Sequence, residues 1–466
     1  MSNLGIHELA LPDEVPAVLD MPLEHGWVEV RVDGKVPTPK EELLALLTLA
    51  AEVEHALLVQ YLYAAASLDP NASGVTAAIR STVLTVAKQE MAHLVSVQNL
   101  LLALGGRDYL HIGRDLVRPK AIENPLPFAL EPITDLVLKE YILVEAPAPD
   151  QLPEELRNRV EALRKEVWEK AGLAPHRVGE FYLQIYWLFM PDDSPAGKLQ
   201  LTPNPARGLR PKRHVKPTDF ADPQQVAPYQ AQFDEWHGNQ APSMLILPVG
   251  NAATPRSDLN RVCLDNVYQI MQQGEGEAAG EESHFEVFLA ALDRWLAGPA
   301  PKVLPLARSP YLDTKLEEAP VSTQLENVYV RQWAELLNLR YSMLMLDIGM
   351  GLATPPTDAD RALLIGWAFG DMKPLLIELI AQLSSKTLLG LGPSGPTFGL
   401  LVQELPPAVR DRWGRYREFL GREKATLDFL KTLKELTTDP LGRALVGQIG
   451  SVNATRTKVV DQKLSM

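Results

Sequence analysis

Cysteine is nearly absent. Cys263 is the only one in 466 residues, which excludes an internal disulfide and a thiolate metal cage and makes a reducing, cytoplasmic setting the expectation. Cys263 itself reads as a buried core residue. Positive charge is also short, with 45 Lys and Arg against 59 Asp and Glu and a sequence pI near 5.2. That balance excludes the basic surface that displaces counterions from a nucleic acid. No uncharged apolar run reaches the length of a membrane span, and the first twenty residues lack the basic start and apolar core of a signal peptide. The expected partners therefore include neither nucleic acid nor membrane. Alternating strand patterns are scarce too. One stretch, Trp27 to Val36 with an Asp33-Gly34 turn signal, predicts a small strand or hairpin within an N-terminal extension over residues 1–40.

What the chain has is helix. Residues 41–68 and 76–104 are long, free of Pro and dense in Leu, Ala and Val, and Gly105-Gly106 closes the second. Residues 107–153 hold several Pro and one short helical piece, Leu136 to Val144, before a charge-patterned helix over 154–171. Core helices are predicted over about 177–190 and 259–296, the second interrupted by Gly274-Glu275-Gly276-Glu277, with a Pro-rich excursion over 191–257 between them. The pattern predicts a mainly α protein: a four-helix bundle over 41–298 with a long inter-helix excursion, then a C-terminal helical region over 299–466. Within that region 325–350, 358–384, 406–433 and 440–450 read as helices.

A dinuclear carboxylate site in a helical bundle needs a Glu from each of two helices and a Glu-x-x-His pair from each of two others. The i, i+3 spacing stacks carboxylate and imidazole one turn apart on one face. Glu90 and His93 satisfy it on the apolar stripe of the second helix, and Glu281 and His284 satisfy it in GEESHFEVFLAAL. Glu54 interrupts the apolar stripe of the first helix, and Glu180 opens the apolar run FYLQIYWLFM, with Glu275 and Glu277 as replacements for it. With 34 Glu and 9 His, roughly 0.7 Glu-x-x-His matches arise by chance. Three occur. In the third, Glu52 and His55, Glu52 lies about 200° of helix rotation from Glu54 and faces away from it, so the pair is assigned to the surface or to packing against another segment. Four carboxylates in one core are prohibitively expensive as bare charges, and two divalent cations would neutralise them. The donor set suits iron, with manganese or a mixed pair as alternatives. Tyr61, Tyr63, Tyr182 and Tyr186 line such a cavity or pack the core. A metal-free scaffold would instead pair its carboxylates with Lys or Arg, and the nearest, Arg80 and Lys88, lie off the Glu90 stripe.

At these residues the sequence resembles the ferritin-like domain of iminophenyl-pyruvate dimer synthase, the enzyme type that joins two tryptophan-derived imines in bisindole pigment biosynthesis. The resemblance rests on AAEVEHALLVQYLYAAASL, VAKQEMAHLVSVQNLLLALGG, LKEYILVEAP, VGEFYLQIYW and GEGEAAGEESHFEVF, then GWAFGDMKPLLIELIAQL and GPTFGLL, in order across residues 41–400. Gln60 stands before Tyr61-Leu62 where the family helix commonly has Pro, so this helix is expected to run unbroken. The resemblance implies a ferritin-like bundle and a di-iron oxidase that acts with O₂ on a small, amino-acid-derived aromatic metabolite. Synthases of this type are much longer, which makes a homo-oligomer or a biosynthetic partner enzyme an expectation. Some are haem proteins, so the resemblance leaves haem open, although no C-x-x-C-H attachment motif exists here. The competing reading is a non-catalytic metal-binding or accessory protein of a biosynthetic pathway.

Overall fold

The computed structural model describes residues 30, 32, 35–114, 129–149, 151–172, 177–191, 214–236, 244–276, 282–313 and 321–466. Helix α1 (Pro39–Ala66) opens on a capping box: Thr38 Oγ1 accepts from the Glu41 N–H while the Glu41 carboxylate accepts from the Thr38 N–H at 2.8 Å, and Pro39 follows. It runs unbroken through Gln60, as expected. Helix α2 (Val75–Gly105) lies antiparallel beside it and ends at Gly106, whose φ of 85° a side chain would strain.

Helices α3 (Asp135–Val144), α4 (Glu154–Ala171) and α5 (Val178–Phe189) follow, each close to its sequence expectation. The fourth helix, expected over 259–296 with an interruption at Gly274-Glu275-Gly276-Glu277, is two: α6 (Arg256–Glu275) stops inside that interruption and α7 (His284–Ala297) follows. The cause is a second capping box. Ser283 accepts from the Glu286 N–H and the Glu286 carboxylate accepts from the Ser283 N–H at 2.9 Å, which starts a helix afresh at His284. Helix α7 packs on α3 and α2, while α5 and α6 pair and close the side of the bundle next to α1.

The remaining helices are α8 (Val328–Leu352), α9 (Ala359–Gly370), α10 (Ile377–Lys386), α11 (Val409–Leu430) and α12 (Pro440–Ser465). The single helix expected over 358–384 is interrupted between α9 and α10 by a wide π-type turn at Asp371–Leu376 that holds Pro374, whose ring cannot continue the α-helical ladder. Strand structure among the described residues is slight: Pro310–Tyr311 pairs with Thr323–Gln324, and Val32 bridges Lys35. Of the expected hairpin, Trp27, Val28, Glu29, Arg31, Asp33 and Gly34 lie outside the described residues. No described helix is long and apolar enough to cross a membrane.

Helix α1 is apolar on every face because it is covered on every face, by the bundle on one side and the C-terminal helices on the other. Behind it the C-terminal helices bury a charged network. Arg340 donates to Glu423 at 2.5 and 3.1 Å and to Asp371 at 3.2 Å, and Arg456 donates to Asp371 at 2.7 and 2.9 Å. Tyr416 donates to Asp347, whose carboxyl burial pushes well above the usual range against the pull of Arg456. A neutral Asp347 leaves two guanidinium groups facing two carboxylates.

Candidate metal centre

Four helices each deliver a donor to one point. Helix α1 supplies Glu54, and α2 supplies Glu90 and His93 one turn apart. The residue that caps α3 at its C-terminus is Glu145, and the first residue of α7 is His284. All five are at most 3% exposed. Their donor atoms form two groups, Glu54 with Glu90 and His93, and Glu90 with Glu145 and His284, each within 4.8 Å. Glu90 belongs to both. Its Oε2 lies 3.1 Å from His93 Nδ1 and its Oε1 3.0 Å from His284 Nδ1.

A second set of groups aims the first. His93 Nε2 donates to Gln273 Oε1 at 2.8 Å, which turns Nδ1 toward Glu54 and Glu90. Tyr182 donates its hydroxyl to Glu54, and Tyr61 donates to Glu145 at 2.6 Å. Burial first, and then the neighbouring carboxylates, raise both phenols well above their usual range, so they remain donors. His284 has no such partner: neither ring nitrogen makes a hydrogen bond.

The charges show what the cluster lacks. Among the described residues no Lys or Arg lies within ion-pair distance of Glu54, Glu90 or Glu145, so protons must compensate. Burial, with Glu90 adding to it, pushes Glu54 up to about 7 against the pull of His93. Burial acts on Glu90 as well, but His284 and His93 outweigh it and hold that carboxyl below the usual range. Against the burial penalty, the carboxylates raise His93 well above its ordinary value and His284 to about 9. The buried carboxylates thus hold both imidazoles toward their protonated form, and metal cations would displace those protons. Glu54 Oε2, Glu90 Oε1 and both His284 nitrogens are buried without hydrogen bonds, and mixed oxygen and imidazole donors suit a first-row transition metal. The residues fit two metal ions.

The cluster borders a cavity of about 20 Å³ walled by Leu57, Val178, Ile270 and Met271, room for an ion or a water but not for an organic molecule. Glu275 lines it as well. Burial pushes Glu275 up to about 8 despite Arg177 and the Gly179 N–H.

Of the six residues singled out in the sequence, the structure brings together Glu54, Glu90, His93 and His284. Glu180 is buried in the first turn of α5 but neither lines the cavity nor joins either group, and Glu275, one of its replacements, does line it. Glu281 and Glu277 lie outside the described residues. The helical i, i+3 argument does not reach Glu281, because α7 begins only at His284. Glu145 was missed. Its signal was a carboxylate ending the apolar run DLVLKEYILV, just before Ala-Pro-Ala-Pro. Of the four tyrosines, Tyr182 lines the cavity and Tyr61 reaches its edge through Glu145, whereas Tyr63 donates to the Ala307 carbonyl and Tyr186 packs in the core.

The third Glu-x-x-His pair faces away from the cluster and packs against another segment. Glu52 is 1% exposed and accepts from His111 at 2.7 Å; His55 meets the Gly113 carbonyl at 3.2 Å and the Tyr341 hydroxyl of α8. Glu52→Ala should leave metal content at the wild-type value while lowering stability by about 1–3 kcal/mol, the cost of stripping a buried hydrogen-bond partner. Metal analysis beside a denaturation curve checks this, and loss of metal would place Glu52 in the ligand set.

A mainly helical protein with paired buried carboxylate and imidazole groups is the ferritin-like type of architecture, and the ferritin-like family model matches residues 47–292, more than half of the chain. The chain belongs to that family. It is 29% identical over 133 residues to the 2-imino-3-(indol-3-yl)propanoate dimerase of Chromobacterium violaceum, a match that covers 23% of this chain and 13% of that protein. No solved structure matches.

Proposed function

We propose that the chain is a dinuclear-metal oxidoreductase, with iron as the metal, that acts with O₂ on a small aromatic molecule derived from an amino acid. The observation that carries this reading is the pair of buried donor groups sharing Glu90, with protons where lysine or arginine would stand in a purely structural cluster. Glu54, Glu90, His93, Glu145 and His284 would hold the two ions, with Glu90 common to the two donor groups, and Gln273, Tyr182 and Tyr61 fix the orientation of His93, Glu54 and Glu145. Iron bound there supplies the one-electron and O₂ chemistry that side chains lack. Leu57, Val178, Ile270 and Met271 exclude water from the centre. The substrate class comes from the name of the Chromobacterium relative. A second reading, metal binding without turnover as an accessory of a biosynthetic pathway, draws on the ion-sized cavity.

Elemental analysis of protein reconstituted with Fe(II) without air should find about two ions per chain. Calorimetry near pH 7 should show a binding heat that varies with the ionisation enthalpy of the buffer, because the cluster must release protons. A reconstituted sample with no bound metal overturns the proposal. Sustained O₂ consumption with indolic or phenylic amino-acid derivatives separates an enzyme from an accessory metal protein, and a Soret band would assign haem instead.

A further inference from the structure

The N-terminus of α5 carries an anion that belongs to the protein itself. Glu275 Oε1 accepts from the Gly179 N–H at 2.8 Å, in the first turn of a 12-residue helix. Unpaired N–H groups and the helix dipole both favour a negative charge there. The carboxyl group sits directly over the glycine: a Cβ on residue 179 would lie 2.1 Å from its carbon and both oxygens. A close approach of this kind needs a residue without a side chain.

Arg177, two residues earlier, caps the same helix end and is only 2% exposed. Its Nε and Nη1 are buried without a hydrogen bond, although its charge acts on Glu275. A buried guanidinium with unmet donors is costly, and a planar carboxylate is the partner its fork fits. Glu275 does not supply those bonds, and as the last residue of α6 it sits where that helix's dipole disfavours a carboxylate. Val178, Gly179 and Glu275 line the same cavity as Glu54, Glu90, Glu145 and His284.

We propose that the N-terminus of α5, with Gly179 and Arg177, is a subsite for the carboxylate of a small organic acid, and that Glu275 holds it until the acid displaces it. The inference rests on the reading of the neighbouring cluster as a reaction centre, since it names the substrate class of that centre. Withdrawal of Glu275 enlarges an ion-sized cavity from the side of Ile270 and Met271, where an aromatic ring finds apolar contacts. The acid then lies between the guanidinium and the metal ligands.

The test is calorimetric titration of the full chain, metal-free and metal-loaded, with 3-(indol-3-yl)propanoate and with its methyl ester. The acid should bind in both forms and the ester at least tenfold more weakly, the scale of a lost charge-assisted hydrogen bond. Arg177→Leu should weaken the acid by at least tenfold, with Arg177→Lys recovering part of the loss. Glu275→Gln, which weakens the internal competitor, should tighten it severalfold. Equal binding of acid and ester, or binding unchanged in both Arg177→Leu and Glu275→Gln, overturns the subsite. If Arg177→Leu does not fold, the Glu275→Gln titration decides alone. Metal content measured on the same samples keeps the two ideas apart: bound metal without acid binding defeats the subsite and leaves the dinuclear reading standing, whereas acid binding without metal does the reverse.

Discussion

Glu90→Ala should empty both metal positions, whereas Glu54→Ala or Glu145→Ala should each empty one. Among the described residues Glu90 alone is common to the two donor groups, with one oxygen turned to each imidazole. Its removal leaves each position with one carboxylate and one histidine, and leaves the charge of two cations opposed by Glu54 and Glu145 alone. Because metal bound to the native state stabilises it by linkage, the loaded wild type should melt well above its metal-free form, and Glu90→Ala should show no such gap. Melting curves with and without Fe(II), beside elemental analysis, give both readouts. A Glu90→Ala protein that keeps about two ions per chain would remove Glu90 from the centre and with it the shared-carboxylate arrangement.

Arg340→Ala should cost about 3–5 kcal/mol of stability, a large share of the 5–15 kcal/mol that holds a typical domain together. The guanidinium is fully buried and binds Glu423, Asp371 and the Asn453 side-chain oxygen at once. Its loss strands two buried carboxylates, of which only Asp371 keeps a second cation, Arg456. The penalty for the abandoned charge exceeds the net worth of the pair. Replacing Arg340 and Glu423 together by apolar residues of similar volume should recover much of the loss, because the orphaned charge goes with its partner. Urea unfolding of the three proteins measures both effects, and a loss below about 1 kcal/mol for Arg340→Ala would show that water or relaxation reaches the network.

Most of the donor set was legible because it obeys helical periodicity. Glu54, Glu90 and His93 interrupt long apolar stripes, and a charge on such a stripe must be answered inside the core. Glu145 escaped because it is not on a stripe. It caps a ten-residue helix, and what brings it to the cluster is the packing of that helix against Tyr61 and α7, with Tyr61 bonded to the carboxylate itself. The break before His284 was written in Ser283 and Glu286, but the spacing of Glu281 and His284 reads as one continuous helical turn. Glu180 occupies the first helical turn, a common place for a Glu, and the chain uses it there rather than at the cluster. The burial of Glu52 and His55 could not be read at all, since the residues that cover the pair, His111 and Tyr341, stand far along the chain, the second of them 286 positions after His55.

Helix α1 carries Glu54 toward the cluster, Glu52, about 200° around its axis from Glu54, toward His111, and His55 toward Tyr341. It is therefore a common wall, and neither the bundle nor the C-terminal layer possesses a complete surface of its own. Peeling away the C-terminal helices would bare a helix that is buried along most of its length, and opening the bundle would do the same from within. The amide protons at its middle should exchange with solvent only when the protein unfolds as a whole. Metal binding at the proposed centre would in this way depend on helices that do not contribute to the donor groups.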